Sequence, residues 1–182
     1  MWRGDRSERM DGDTIAAVTR RHQRSDWLPR SHRWAYLWAQ MTSIDVVLDT
    51  NVVIAGMRSN RGASFRVLSL IGDERFRVAI SVPLVVEYEA VALRTGTGIP
   101  LDPEDILAIL DRICALGRRV EIYFQWRPYL PDPEDEFILE LAVGGGCRYI
   151  VTHNARDFVG AERFGIEVIP PRELLRLIGE AQ

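Results

Sequence analysis

The chain has 182 residues, of which 47% are hydrophobic and 27% charged, the composition of a soluble domain with room for a core. No apolar run reaches the roughly 18 residues that a membrane span needs, and the amino terminus is charged where a signal peptide would be apolar. We therefore expect a cytoplasmic protein with no membrane contact. Cys114 and Cys147 lack CxxC spacing and the three histidines are scattered, so neither a disulfide framework nor a zinc site is indicated.

Charge divides the chain near Met41. Residues 1–40 hold eight arginines against five acidic residues, whereas residues 41–182 hold fifteen against twenty-one. The first segment also contains four of the five tryptophans and shows no sustained hydrophobic period. We predict an N-terminal extension over residues 1–40 and one domain over 41–182, with Met41 as the natural start. The alternative is that the extension is a basic, aromatic arm that contacts RNA or a partner.

The first half of the domain is predicted as strand, helix, strand and helix. Ile44 to Leu48 is a short β-branched run that ends at Asp-Thr-Asn, as a buried strand does. Residues 63–71 carry apolar side chains at helical spacing and stop at a glycine, and Phe76 to Ile80 resumes as a strand. Ser81, with Pro83 just inside, begins a helix that contains Glu87.

The second half continues the alternation of helices and strands. Asp102 opens a helix that runs to Gly117, and Arg119 to Phe124 is a candidate strand. A loop over residues 126–131 leads to a helix that ends at the glycines 144–146. Three elements close the chain: strand Arg148 to Thr152, strand Glu167 to Ile169 and helix Arg172 to Ile178. This alternation predicts an α/β fold of three layers, with a mostly parallel sheet covered by helices on both faces.

Polar residues from four segments are predicted to meet at one edge of this sheet. Asp49 ends the first strand, Asn154 follows a later strand, Glu87 lies in the helix after the second strand, and Asp135 opens the helix before Thr152. In an open parallel sheet, ligands bind outside the carboxyl ends of the strands. Carboxylate oxygens suit a hard divalent cation, so these residues predict a Mg²⁺ or Mn²⁺ site. Each acid alone is equally well explained as a helix cap or a solvated side chain.

Three motifs give the chain a resemblance to the PIN-domain family over residues 44–170. Val-Val-Leu-Asp-Thr-Asn over residues 46–51 resembles the family's first strand and first metal-binding Asp. Residues 81–87 resemble the segment that delivers the second acid, Glu87. Residues 132–142 and 149–158 resemble the closing half, in which the seven-residue step from Asp135 to Ala142 makes Asp135 the third acid. Asp132 is the second choice for that position and otherwise a helix cap.

The fourth acidic position departs from the commonest family pattern. Asn154 stands where many relatives carry Asp, although Val-Thr-His-Asn-Ala-Arg-Asp-Phe is similar to the variant of VapC-type toxins. The resemblance implies that Asp49, Glu87 and Asp135 bind the metal, with Asn154 and Asp157 completing the catalytic set. It also implies an endoribonuclease that leaves a 5′-phosphate and a 3′-hydroxyl, a homodimer and an antitoxin partner. Five arginines beside the motifs are candidates for offsetting RNA phosphates: Arg58, Arg61, Arg66, Arg148 and Arg156.

Other functions fit the sequence less well. A haloacid-dehalogenase-like phosphatase or a response-regulator receiver requires a lysine, and the chain has none. A dinucleotide-binding domain needs a glycine-rich turn after the first strand, where Asp-Thr-Asn stands instead. The remaining alternative to a nuclease is a PIN-like module that binds RNA or protein with weak catalysis, because Asn154 reduces the charge of the metal site.

Overall fold

The computed structural model describes residues 43–123 and 127–180. Four predicted features lie outside the described residues: the extension over residues 1–40, the start at Met41, the last residue of the predicted strand, Phe124, and the first residue of the predicted loop, Trp126. The described residues form a hydrophobic core to which β1, β2, β4, β5 and the inner faces of the helices contribute.

The sheet has five strands in the order β3-β2-β1-β4-β5, and every pairing is parallel. Its strands are β1 (Ile44–Leu48), β2 (Phe76–Ile80), β3 (Arg118–Arg119), β4 (Tyr149–Val151) and β5 (Glu167–Ile169). The chain moves outward from β1 through β2 to β3, then crosses back and places β4 on the other side of β1. The strand order therefore reverses between β1 and β4, where open parallel sheets have their binding crevice.

Six α-helices accompany the sheet in the described part of the chain. They are α1 (Thr50–Arg58), α2 (Ala63–Ser69), α3 (Val82–Ala92), α4 (Pro103–Leu116), α5 (Glu136–Gly144) and α6 (Pro171–Leu177). Three short 3₁₀ helices lie at Pro133–Asp135, Ala155–Phe158 and Ala161–Phe164. No helix in the ranges 43–123 and 127–180 is long and apolar enough to span a bilayer.

Both faces of the sheet are covered at its centre. Val46, Val47 and Leu48 have no exposed surface, although successive side chains of a strand point to opposite faces. Ile150 and Val151 of β4 are equally buried. The predicted three-layer α/β architecture with a parallel central sheet is therefore confirmed.

Two local predictions need correction. The helix α1 was not predicted, because its residues read as a polar triplet followed by an apolar stretch. The strand predicted from Arg119 to Phe124 is wrong in extent, since β3 covers only Arg118–Arg119. Beyond it, Val120 still donates its backbone N–H to the carbonyl of Ile80 over 2.9 Å, but residues 121–123 leave the sheet.

Candidate active site

Asp49 lies where β1 ends and α1 begins. Its side chain caps α1 by accepting the backbone N–H of Asn51 over 3.2 Å, which is the ordinary role of Asp at a helix N-terminus. Its Oδ2 atom also accepts from Asn51 Nδ2 over 2.6 Å and from Thr152 Oγ1 over 2.5 Å. Because Thr152 follows β4, these bonds join the ends of the two strands at which the strand order reverses.

Burial opposes the ionisation of Asp49. Only 5% of the residue is exposed, and this burial raises the pKa of its carboxyl group, as does the charge of Asp157. The hydrogen bonds from Thr152 and Asn51 and the charge of His153 act in the opposite direction. A net rise remains because burial is the largest of these effects.

Glu87 reaches the same place from the middle of α3. Thr50, the first residue of α1, donates its hydroxyl to Glu87 Oε1 over 2.6 Å. Burial raises the pKa of Glu87, and the charges of Asp49 and Glu134 raise it further, whereas the bond from Thr50 lowers it. Asp49 and Glu87, the first two predicted acids, are therefore close enough for the charge of one to affect the pKa of the other.

Asp135 ends the short 3₁₀ helix that precedes α5. Burial raises its pKa to about 7, with further rises from Asp49, Asp157, Asp132 and Glu87 in decreasing order. Asp132 accepts the backbone N–H of Glu134 over 2.9 Å and so caps the turn. The hydrogen bond of Asp132 fits its preferred assignment as a cap. Asp135, in contrast, lies close enough to the other acids for their charges to raise its pKa.

The end of β4 supplies the last two predicted residues. Asn154 donates its side-chain amide to Asp157 Oδ2 over 2.5 Å, and its backbone N–H to Thr152 Oγ1 over 2.9 Å. Asp157 raises the pKa of both Asp49 and Asp135. The five predicted site residues therefore gather at the reversal point, although Asn154 is directed at Asp157.

The acids of this group form no ion pair in the described part of the chain. Among the ion pairs of the described residues, none includes Asp49, Glu87, Asp135 or Asp157. The pKa of three of these acids is raised as a result of burial and mutual repulsion. A bound cation would relieve that repulsion.

The donor set is chemically suited to a hard divalent cation. No group of three or more His, Cys, Asp or Glu side chains in ranges 43–123 and 127–180 has an arrangement ready to hold a metal ion. Magnesium, however, usually keeps several waters and takes only one or two carboxylates together with substrate phosphates. The residues present therefore fit an ion that retains part of its hydration shell.

Sequence reasoning missed several supporting residues. Ser64, at the first turn of α2, contacts His153 with 2.8 Å between its Oγ and the ring Nε2. The backbone N–H of His153 donates to Asn51 Oδ1 over 3.1 Å. These bonds attach the start of α2 to the site, and no local pattern could reveal them, because the partners are far apart in sequence.

Buried acids on α5 position the segment before Asp135. Glu136 accepts the backbone N–H groups of Tyr129 and Leu130 at one carboxylate oxygen, and its other oxygen is buried without a hydrogen-bond partner. Glu140 forms an ion pair with Arg127 at 3.2 Å. The loop that leads to Asp135 is thus held on α5 by side chains that the sequence did not mark as special.

The motifs and their placement agree with a family comparison. A family model described as the PIN domain matches residues 45–156, a span that begins just before Asp49 and ends just before Asp157. The chain belongs to the PIN-domain family. Members of this family are generally nucleases that use divalent metal ions.

One solved structure to which this PIN domain is similar is that of VapBC2 from Rickettsia felis bound to a DNA fragment from their promoter. The match has 14% sequence identity and a TM-score of 0.47, and covers 69% of this chain and 97% of the other. No curated protein matches the chain.

The arginines beside the PIN motifs fall into two groups. Arg66 and Arg148 form ion pairs with Glu180 and Glu167, respectively. Arg58, Arg61 and Arg156 are exposed, and no ion pair of the described residues includes them.

Proposed function

We propose that this PIN domain is a metal-dependent endoribonuclease, and that it acts as the toxin of a type II toxin–antitoxin pair. The observation that carries the nuclease proposal is the collection of acids at the sheet's reversal point, none of which belongs to an ion pair of the described residues. Such a cluster is unfavourable by itself, as the raised pKa of Asp135 illustrates. It becomes favourable when a divalent cation and a phosphodiester are present.

Asp49, Glu87 and Asp135 are the proposed metal ligands. Asp49 is held in place by Asn51 and Thr152, and Glu87 by Thr50, so both carboxylates are oriented before an ion arrives. The ion, Mg²⁺ or Mn²⁺, supplies activation of water and neutralisation of charge on the phosphodiester. The three carboxylates would hold the ion and orient the attacking water.

In the proposed reaction, water attacks the phosphorus atom and the bond from phosphorus to the 3′-oxygen breaks. The water oxygen remains on the 5′-phosphate, and the 3′-oxygen receives a proton to become a hydroxyl. Asp157 and Asn154 lie beside this position, where they can bind water or a second ion. For either side chain to bind a ligand in this way, the hydrogen bond between Asn154 and Asp157 must lengthen or break.

The toxin assignment rests on the likeness of residues 151–158 to the corresponding segment of VapC-type toxins. It brings with it two proposed partners, a second copy of the chain and a small antitoxin whose peptide covers the acidic groove. Both are testable by purifying the chain with and without the product of a neighbouring gene.

The nuclease proposal is tested with the full chain, purified free of any partner. Structured and unstructured RNA are incubated with it in Mg²⁺, Mn²⁺ or EDTA. Asp49→Asn keeps the size of the side chain and its helix-capping ability but removes its charge, so cleavage should fall at least about 100-fold. Glu87→Gln should behave similarly.

The matched control is Glu89→Gln, because Glu89 lies on the same helix as Glu87 but is exposed. This variant should cleave as the parent does. Cleavage that survives EDTA, or that Asp49→Asn leaves intact, contradicts the proposed site.

A second candidate function is supported by the bond between Asn154 and Asp157. If this pair blocks the fourth ligand position, the chain is a PIN-like module that binds RNA or a protein with little catalysis. Absence of cleavage by a folded protein in either metal supports this function. Appearance of cleavage in Asn154→Asp would then identify Asn154 as the cause.

A further inference from the structure

Two segments of the chain near the acidic site contain arginine but no acid. Residues 50–72 include Arg58, Arg61 and Arg66 and no Asp or Glu, and residues 91–101 include Arg94 and again no acid. The domain as a whole is acidic, with twenty-one acids against fifteen arginines in residues 41–182. A polyanion that reaches the site therefore meets repulsion over most of the domain and attraction at these two segments.

The structure brings the two segments together. Arg58, the last residue of α1, donates its Nε–H to the carbonyl of Thr97 over 2.6 Å, and α1 packs against α3. Arg61 is three residues from Arg58, and Arg94 is three residues from Thr97. The Cα atom of each therefore lies within about 11 Å of the Cα atom of Arg58 or Thr97, respectively. Both of these arginines are exposed. We call Arg58, Arg61 and Arg94 the arginine surface.

A chain of hydrogen bonds links the acidic site to Ser64, which follows the arginine surface closely in sequence. Asp49 binds Asn51, the side-chain oxygen of Asn51 accepts from the backbone of His153, and the ring of His153 contacts Ser64. Arg61 precedes Ser64 by three residues. The loop between α1 and α2 thus returns from Arg58 to the edge of the site.

Arg61 and Arg94 differ from the paired arginines of the domain. Arg66, Arg75, Arg77 and Arg148 form ion pairs with carboxylates, whereas no ion pair among the described residues includes a member of the arginine surface. Free guanidinium groups are suited to phosphate oxygens, which they bind in a bidentate manner. The same stretch contains Phe65, which is 39% exposed and offers a ring on which a base can stack.

We propose that the arginine surface binds the phosphate backbone of single-stranded RNA next to the cleavage position. This inference rests on the proposed nuclease function and extends it to the path of the substrate. The nine residues of α1 span about 13 Å, so the surface and the site can contact one strand within the roughly 4–16 nucleotides that single-strand sites cover. An exposed aromatic ring favours a nucleic acid over an acidic peptide.

The test measures RNA binding separately from cleavage. The full chain carrying Asp49→Asn is titrated into a labelled oligouridine of about 12 nucleotides, with Mg²⁺ held constant and potassium chloride varied from about 50 to about 200 mM. Arg61→Gln and Arg94→Gln are introduced together. Arg58 is left intact because its bond to Thr97 supports the loop.

The double variant should lower the slope of log K against log salt by about 1.4, because each phosphate contact on a single strand contributes about 0.7. Affinity at the lower salt concentration should fall about 10-fold. Arg61→Lys with Arg94→Lys keeps both charges and should retain most of the slope. Arg163→Gln with Arg172→Gln is the matched control, because both residues are exposed and lie beside β5.

An unchanged slope in a folded double variant overturns the proposal, and so does equal loss in the control pair. Equal displacement of the RNA by a polyglutamate peptide of the same charge overturns the assignment to nucleic acid. Failure of the nuclease proposal is distinguishable, because absence of cleavage by the parent chain with a normal change of slope leaves the RNA-binding surface in place.

Discussion

Asp135 illustrates how the site depends on charge at the level of single residues. Burial is the largest cause that opposes its ionisation, and four other acids add to it. Its pKa therefore rises from an ordinary value of 3.8 to about 7. The folded protein therefore binds more protons at this position than the unfolded chain does between these two pH values. The contribution of Asp135 to the free energy of unfolding must therefore fall as pH rises through this window, and this penalty is complete above about pH 7.

Asp135→Asn should remove that penalty. Without metal, we expect the variant to be more stable than the parent at pH 8 by about 1–2 kcal/mol, once solvent screening of a half-buried group is allowed for. At pH 4 the two proteins should be equally stable. Urea unfolding in EDTA at both pH values measures this, with Asp105→Asn on the exposed surface of α4 as the control. A difference in stability between Asp135→Asn and the parent that does not grow from pH 4 to pH 8 contradicts the prediction.

Thr50 has a role that depends on one hydrogen bond to Glu87. Thr50→Val keeps the shape of the side chain but removes the hydroxyl, so Glu87 loses the contact that orients it. Cleavage should fall about 10-fold, which corresponds to about 1.4 kcal/mol in the transition state. Thr50→Ser restores the hydroxyl and should recover most of the activity. Equal activity of the Val and Ser variants would show that the bond does not orient the acid.

At the level of elements, α1 and α2 pack closely at Gly56. A Cβ atom added there would lie 2.5 Å from Leu68 Cδ1 and 3.0 Å from the backbone oxygen of Ser64. The second contact is with backbone and cannot be relieved by a side-chain rotation. This close approach sets the position of Ser64, which contacts His153 at the edge of the site.

Gly56→Ala should therefore destabilise the domain by about 1–3 kcal/mol, even though alanine is the better helix former. Gly144→Ala is the matched control, because Gly144 is also in a helix and nothing lies within 4 Å of an added Cβ. The control should be neutral or slightly stabilising. Urea unfolding of both variants tests the pair, and equal effects would show that the packing at Gly56 is not tight.

At the level of the whole molecule, a cation bound only by the folded state must stabilise it. At a Mn²⁺ concentration about 100 times the dissociation constant, the gain is about 2.7 kcal/mol. For a domain of this size, that corresponds to a rise in Tm of roughly 5–10 °C. Thermal unfolding of the parent chain in Mn²⁺ and in EDTA measures the difference.

Asp49→Asn should abolish this stabilisation, whereas Glu89→Gln should retain it. A rise in Tm that Asp49→Asn shares with the parent would place the bound metal elsewhere. This experiment does not require a substrate, so it separates metal binding from the choice of RNA.

Much of the architecture could be predicted from the sequence, because strands and helices of this domain carry local signals. The strands at 44–48, 76–80 and 167–169 have the predicted bounds, and α3 and α4 begin beside the predicted Ser81 and Asp102. The acids at the carboxyl ends of the strands were identifiable because a parallel sheet brings those ends to one edge. Their catalytic roles stay a prediction.

Only the tertiary structure decided which groups contact one another. The helix α1 forms over an apolar stretch whose burial depends on α2 and α3. The strand β3 is limited to Arg118 and Arg119, which pair with the last two residues of β2. The bonds from Thr50 to Glu87, Thr152 to Asp49 and Ser64 to His153 join residues 37, 103 and 89 positions apart. Local propensity determines where an element begins and ends, whereas contacts over such separations exist only after the sheet has assembled.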